Sequence, residues 1–528
     1  MAQANLPAAK SIGCIASSAA LVAALLGSAP AYAQENLSFE TPPARVRAGS
    51  DHVPGWETPV DADAVFALDT TTAHGGVASL RVSRPQIGGR ERFSQEIDPR
   101  GLGANRVRVS AYVKTDGRSS VSANLRIRVD AATQLLYIDR TEPQVMRGGG
   151  EWIRIEIQAP LTATAQRLEF GGELSGTGVA WFDDFQIEPV DTQELPAPSA
   201  QAARYVSQAL AVIDEHAVVR AELDWPAFQA AVLEQARGAV STADAHLAVQ
   251  FALASLGDGH SYFMSPRQMN NLTDRPLGNA RTSRAPREPR TQLLDNAVGY
   301  LRLPGFAGGT HLDRVAFAES IQAMIADLDL RSSCGWIVDL RDNLGGNLWP
   351  MLAGLGPLLG DGEAGASVYA TGERRSIWYA DGKAGLGDFV QLRVRTQPYR
   401  LRRADVPIAV IVDSSTASAA EIIAAAFAAR PQTRSFGTGT RGATTGTRTF
   451  PLRDDAALML AVARTTDRHN QPVEGPIEPD EPVATDDRGL ALPQQPAIQA
   501  AQRWLAAQLC PIAIATVDDP EFDRLLDW

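Results

Sequence analysis

From Asn36 to about Pro189 apolar residues recur at every second position in short runs broken by Gly, Pro and Asp. Ser79-Leu80-Arg81-Val82, Val107 to Val113, Leu125-Arg126-Ile127-Arg128-Val129 and Ile153-Arg154-Ile155-Glu156-Ile157 are examples. A period of two places alternate side chains on opposite faces, so these runs are half-buried antiparallel strands. Turn residues between them predict a two-layer β-sandwich over residues 34–190. Residues 191–203, rich in Pro, Ala and Ser, read as a linker. Periodicity then changes to helical over residues 204–265, with Tyr205, Ala209, Val212 and Ile213 on one stripe. Residues 266–295 lose periodicity and become Arg-, Asn- and Pro-rich, which reads as a flexible loop or flap. From residue 296 to 528 strands and helices alternate, as in a layered α/β domain. The expected fold is therefore multidomain.

The N-terminus reads as an export signal. Lys10 precedes a small, apolar run, and Ala31-Tyr32-Ala33 fits a small-x-small cleavage pattern, giving a signal peptide over residues 1–33. The expectation is an exported protein, periplasmic or secreted, with no membrane span after cleavage. A net charge of −12 argues against nucleic acid as partner. Cleavage leaves Cys334 and Cys510, compatible either with one bridge or with two free thiols. Lysine occurs only at Lys10, Lys114 and Lys383.

Four short stretches carry the chemistry. An apolar strand ends at Val412, Asp413-Ser414-Ser415-Thr416-Ala417 turns, and a helix opens at Ser418-Ala419-Ala420-Glu421. A hydroxyl there meets the positive end of the helix dipole and free backbone N–H groups. It can act as a nucleophile, or simply cap the helix with Glu421 closing a capping box. Asp339-Leu340-Arg341-Asp342-Asn343-Leu344-Gly345-Gly346-Asn347 runs from a strand through a glycine turn, where the backbone can present N–H groups closely. Gly257-Asp258-Gly259-His260 places an imidazole in a turn, and Val473-Glu474-Gly475-Pro476-Ile477-Glu478-Pro479-Asp480 is a tight turn carrying a carboxylate.

In this order the stretches resemble the tail-specific (C-terminal-processing) and tricorn serine peptidases, over roughly residues 205–482. The resemblance implies an α/β core like that of ClpP and crotonase, with a peptide or protein substrate. It implies Ser418 as nucleophile, and an oxyanion hole from the amide of Ala419 and a glycine of the Gly345-Gly346 pair. The Ser-Lys branch carries a lysine in the next turn, but here Gly439-Thr440-Arg441-Gly442-Ala443-Thr444 puts Ala443 at that position. Arg441 cannot replace it, because guanidinium stays protonated. Tricorn-type relatives use histidine and glutamate instead, which implies His260 as general base and Glu474 as its orienting carboxylate, linked directly or, since Gly259 stands where tricorn has a serine, through a water. His469 is the rival base. No cofactor is implied for catalysis, and the PDZ domain usual in tail-specific proteases has no room here. The arginines of the loop, Arg281, Arg284, Arg287 and Arg290, suit an acidic peptide or a solvated flap.

The N-terminal region resembles the jelly-roll, galactose-binding-like sandwiches of carbohydrate-binding modules, through Asn36 to Glu40, Gly55-Trp56, His74-Gly75-Gly76 and Trp181-Phe182-Asp183-Asp184. That resemblance implies a structural calcium ion held by Glu40 and Asp184, and a glycan as partner. Trp56, Trp152 and Trp181 are either sugar platforms or core. Competing expectations are an esterase on the same machinery and a non-catalytic ligand- or glycan-binding protein.

Overall fold

The computed structural model describes residues 35–508 except 43–52, 60–63, 86–89, 118–120, 133–134, 142–149, 274–287, 332–333 and 486–488. The expected signal peptide, Cys510 and Arg281, Arg284 and Arg287 lie outside the described residues.

The first domain is a β-sandwich of strands β1 (Val65–Asp69), β2 (Ser79–Arg84), β3 (Arg90–Ile97), β4 (Arg106–Thr115), β5 (Ser122–Asp130), β6 (Leu135–Arg140), β7 (Ile153–Pro160), β8 (Arg167–Ser175) and β9 (Gly178–Pro189). They form a five-stranded sheet, β1-β2-β9-β4-β7, and a four-stranded sheet, β3-β8-β5-β6. All pairings are antiparallel, as the period-two pattern requires. Trp56 stacks on Phe39 at 5.2 Å between ring centroids and is buried among Phe93, Phe170 and Phe185, so it belongs to the core.

The expected linker is pinned rather than loose. Thr192 is buried and its hydroxyl donates to Glu234 Oε1 (2.7 Å), while Arg237 donates to the carbonyls of Thr192 and Gln193. Helix α1 (Ala200–His216) starts inside the expected linker because Ser199 caps it, accepting from the amide of Ala202. Helices α2 (Trp225–Gln235) and α3 (Thr242–Ala254) follow. Buried Arg106 of β4 donates to the side chain and carbonyl of Gln235, and Ala254 of α3 sits in the sandwich core. Sandwich and helices thus share a hydrogen-bonded, partly apolar seam.

Strand β10 (Tyr262–Met264) and helix α4 (Pro266–Thr273) come next, then β11 (Arg290–Leu294), β12 (Val298–Arg302), α5 (His311–Asp329), β13 (Gly335–Asp339) and α6 (Leu348–Leu359). The segment expected to be a flexible loop therefore contains a helix and a strand. An antiparallel excursion follows: β14 (Gly362–Tyr369), β15 (Arg374–Ala380), β16 (Lys383–Leu386) and β17 (Phe389–Arg393). The chain continues through β18 (Ile408–Val412), α7 (Ala419–Ala428), β19 (Thr433–Gly437), β20 (Gly446–Pro451), β21 (Ala457–Thr466), β22 (Pro472–Val473), β23 (Glu481–Pro482) and α8 (Pro496–Ala507). Cys334 is disulfide-bonded.

One sheet runs β11-β12-β13-β18-β19-β23 and is parallel from β12 onward. Strands β13 and β18 are buried along their whole length, so both read as continuous apolar runs. Trp336, Val338, Ile408 and Val410 pack toward α5, α6 and α7, whereas Ile337, Ala409 and Ile411 pack toward α8. Because β13 and β18 are adjacent and parallel, their carboxyl ends, which carry the glycine turn and Ser418, emerge side by side. Open α/β sheets bind ligands at such ends. The other sheet is built on β21, which receives β10, β14, β20 and β22 as partners.

Candidate active site

After β18 the chain turns through Asp413-Ser414-Ser415. Asp413 Oδ1 accepts from the amide of Ser415 (3.0 Å), and Thr416 Oγ1 donates to the carbonyl of Leu340 (3.0 Å) at the end of β13. These bonds tie the serine corner to the glycine turn. Ser418 sits at φ 56°, ψ −122°, a left-handed conformation that costs a non-glycine residue roughly 1–3 kcal/mol. Its hydroxyl makes no cap hydrogen bond. The cap is made the other way round: Glu421, fully buried, accepts from the Ser418 amide through Oε2 (2.7 Å). Through Oε1 it also takes Thr440 Oγ1 (2.5 Å) and the amide of Gly442 (2.6 Å). Burial pushes the Glu421 carboxyl above its ordinary range, opposed by these hydrogen bonds. One carboxylate thus fixes both the serine corner and the turn after β19. Replacing Ser418 by glycine should leave a protein about 1 kcal/mol more stable than the alanine variant, since only alanine must bear the left-handed backbone. Urea midpoints of the two variants measure this.

The glycine turn abuts that corner. A Cβ on Gly345 would lie 2.8 Å from Ser418 Cβ and 3.0 Å from the Ala419 amide nitrogen, and its φ of +85° also excludes other residues. The two glycines are not equivalent. The Gly345 amide donates to Asn343 Oδ1 (2.9 Å), so it is already spent. The Gly346 amide has no hydrogen-bond partner among the described residues, nor has the Ala419 amide in the first turn of α7. Of the expected oxyanion donors, Ala419 and Gly346 keep a free N–H and Gly345 does not.

His260 is held by its own turn and by β21. Asp258 Oδ1 accepts from the amides of His260 (2.9 Å) and Ser261 (2.7 Å), and the Ser261 hydroxyl takes the Ala461 amide (2.9 Å). The ring Nδ1 lies 2.9 Å from Thr445 Oγ1. When Nδ1 carries the hydrogen, Thr445 accepts it and Nε2 is left with its lone pair free. Burial pushes the imidazole pKa below its usual value; Asp258 and the main chain of Thr445 act the opposite way, and Arg441 adds to the lowering. Ser418, His260, Ala419, Gly345, Gly346, Ala443 and Thr445 all line one cavity of about 1990 Å³.

Residues 297–483 match the profile of Peptidase family S41. The chain carries an S41 domain, and is a serine-type peptidase. It is 28% identical over 294 residues to the nisin-resistance protein of Lactococcus lactis subsp. lactis, covering 54% of this chain and 84% of that protein. It is 29% identical over 170 residues to the carboxy-terminal-processing protease of Bartonella bacilliformis, covering 32% of this chain and 35% of that one. Among solved structures, a lipoprotein from Streptococcus agalactiae aligns at TM-score 0.48 and 23% identity, over 58% of this chain and 97% of that one.

The S41 match includes Ser418 and the glycine turn, whereas His260 lies before it and reaches the cavity from the helical segment. Glu474 does not meet His260. Its carboxylate is 60% exposed and accepts from Arg464 Nη1 (3.0 Å), and Arg464 also holds Glu222. The orienting position on His260 Nδ1 that the resemblance assigned to Glu474 is taken by Thr445. His469 lies in an exposed turn organised by Asp467 and does not line the cavity. Thr445 escaped sequence reasoning because it belongs to no motif of the S41 pattern, and its contact to His260 spans 185 residues. Glu421 was legible only as a capping residue.

In the sandwich, Glu40 accepts from the amides of Val77 and Ala78, while Asp184 Oδ2 lies 2.7 Å from His74 Nδ1. Both carboxylates clamp the loop before β2, and no group of three or more metal-ligating side chains forms among the described residues. No described helix is long and apolar enough to cross a membrane.

Proposed function

We propose that the protein is an exported endo- or carboxypeptidase in which Ser418 attacks the carbonyl carbon of a peptide bond. His260 Nε2 takes the hydroxyl proton, a C–O bond forms, and the carbonyl oxygen becomes an oxyanion facing the amides of Ala419 and Gly346. Imidazolium then passes the proton to the departing amine as the C–N bond breaks, leaving an acyl-Ser418. Water, deprotonated by His260, completes hydrolysis. Thr445 holds the imidazole in the tautomer that leaves Nε2 free, the part that a carboxylate plays in a triad. The observation that carries this reading is the uncapped hydroxyl of Ser418, held in a left-handed backbone and lining the same cavity as His260. Export rests on the sequence of residues 1–33.

Incubation of the full chain with a peptide mixture, followed by mass spectrometry of the products, tests the function. Cleavage by the wild type and none by Ser418→Ala is expected; equal cleavage by both, or hydrolysis of esters alone, would overturn it.

The pH dependence follows from the lowered imidazole pKa. The base works only when neutral, so kcat/KM should hold at neutral pH and fall only as pH drops below 6.5. Arg441→Gln removes a nearby positive charge, so the imidazole pKa should rise and the acid limb move to higher pH. A pH–rate profile of both proteins checks the sign.

A further inference from the structure

The catalytic cavity has a wall that the S41 domain does not supply. One side is built from the sandwich, by Arg128, Asp130, Leu135, Tyr137, Ile138 and Arg167 at β5, β6 and the start of β8. We propose that this β5–β6 edge is a substrate-binding wall of the peptidase, receiving apolar side chains of an extended polypeptide some residues away from the cleaved bond. The proposal rests on the reading of Ser418 given above and adds where the rest of the substrate lies.

Size is the first argument. A cavity of about 1990 Å³ is roughly twice the upper range of small-molecule sites, so it suits a chain and not a single residue. Chemistry is the second. Arg128 is paired with Asp130, and Arg167 with Glu96 and Glu169, so the charges on this wall are already neutralised. What remains open is apolar: Leu135 is 36% and Ile138 46% exposed. Across the cavity Tyr262 (48% exposed) and Leu344 (64% exposed) continue the same surface beside His260 and the glycine turn. Exposed aliphatic side chains grouped in one cleft mark a binding surface.

The same residues favour polypeptide over glycan. Sugar rings stack on exposed aromatic faces, and the described residues of the β5–β6 edge present none: Tyr137 is buried, with its hydroxyl on Asp139 and on the carbonyl of Gln158, and the exposed ring of Tyr262 lies beside His260 instead. The wall is also held in place. Helix α3 packs on β6 and β7, buries Ala254 in the sandwich core, and runs six residues on to His260. Arg106 bonded to Gln235 fixes the other end of the seam.

The test uses the full chain and the double variant Leu135→Ser, Ile138→Ser, both exposed positions. Two fluorogenic peptides share one cleaved bond flanked by leucines, one about ten residues long and one about four. A fluorophosphonate probe reports Ser418 alone. The variant should lose about tenfold in kcat/KM on the long peptide, mainly through KM, and change less than about twofold on the short peptide and in labelling rate. Equal losses on both peptides, or none on the long one, would overturn the wall while leaving Ser418 in place. A wild type that is never labelled would instead overturn the reading of Ser418.

Discussion

His260→Ala should lower peptide hydrolysis about 10³-fold, while Glu474→Ala should change it less than about twofold. The contrast separates this site from the tricorn-type arrangement implied by its sequence motifs, where both substitutions are damaging. The imidazole is half-buried beside Thr445 in the cavity that holds Ser418, and among the described residues no other histidine lines that cavity. Without it the Ser418 hydroxyl must lose its proton to water. Glu474, by contrast, is a solvent-facing partner of Arg464, an exposed pair worth roughly 0–1 kcal/mol. Steady-state kinetics on one cleavable peptide, with unchanged circular dichroism, measure the difference.

Glu421→Ala should be the most damaging substitution outside the reacting atoms. It strips an acceptor from three donors at once: the Ser418 amide, the Thr440 hydroxyl and the Gly442 amide. Each buried donor left unpaired costs about 1–3 kcal/mol, so the S41 domain should lose roughly 3 kcal/mol or more. Activity should fall about 100-fold even where the domain stays folded, because the left-handed backbone of Ser418 loses the bond that maintains it. Glu421→Gln keeps the shape but turns one oxygen into a donor facing donors, so its loss should lie between wild type and alanine. Urea denaturation and kcat, measured on the same preparations, report the two effects separately.

The parts of this account that were legible in the sequence are those in which chemistry dictates residue type. The glycine turn needs positive φ at Gly345 and Gly346, and the serine corner needs an apolar strand, a turn and a helix start, so both left local marks. Strands β13 and β18 are buried on both faces and therefore read as apolar runs. Strand β11 did not, because it is an edge strand whose residues are mostly exposed, and its polar start, Arg290-Thr291-Gln292, hides any alternation. The linker looked loose from its prolines, yet its tether comes from Glu234 and Arg237, some forty residues away. The partner of the Glu474 carboxylate was hidden for a related reason. A motif locates a turn, but Arg464 and Glu222 decide where its carboxylate points. Thr445 and the sandwich wall are tertiary facts with no local pattern behind them.

The central claim is that the Ser418 hydroxyl is activated by the His260 imidazole. Reaction of the full chain with a fluorophosphonate, followed by mass spectrometry of the modified peptide, tests it most directly. The account predicts a single adduct on Ser418 that forms rapidly in the wild type and in Glu474→Ala, and at least about 100-fold more slowly in His260→Ala. An adduct on another residue, or equal rates with and without His260, would contradict it.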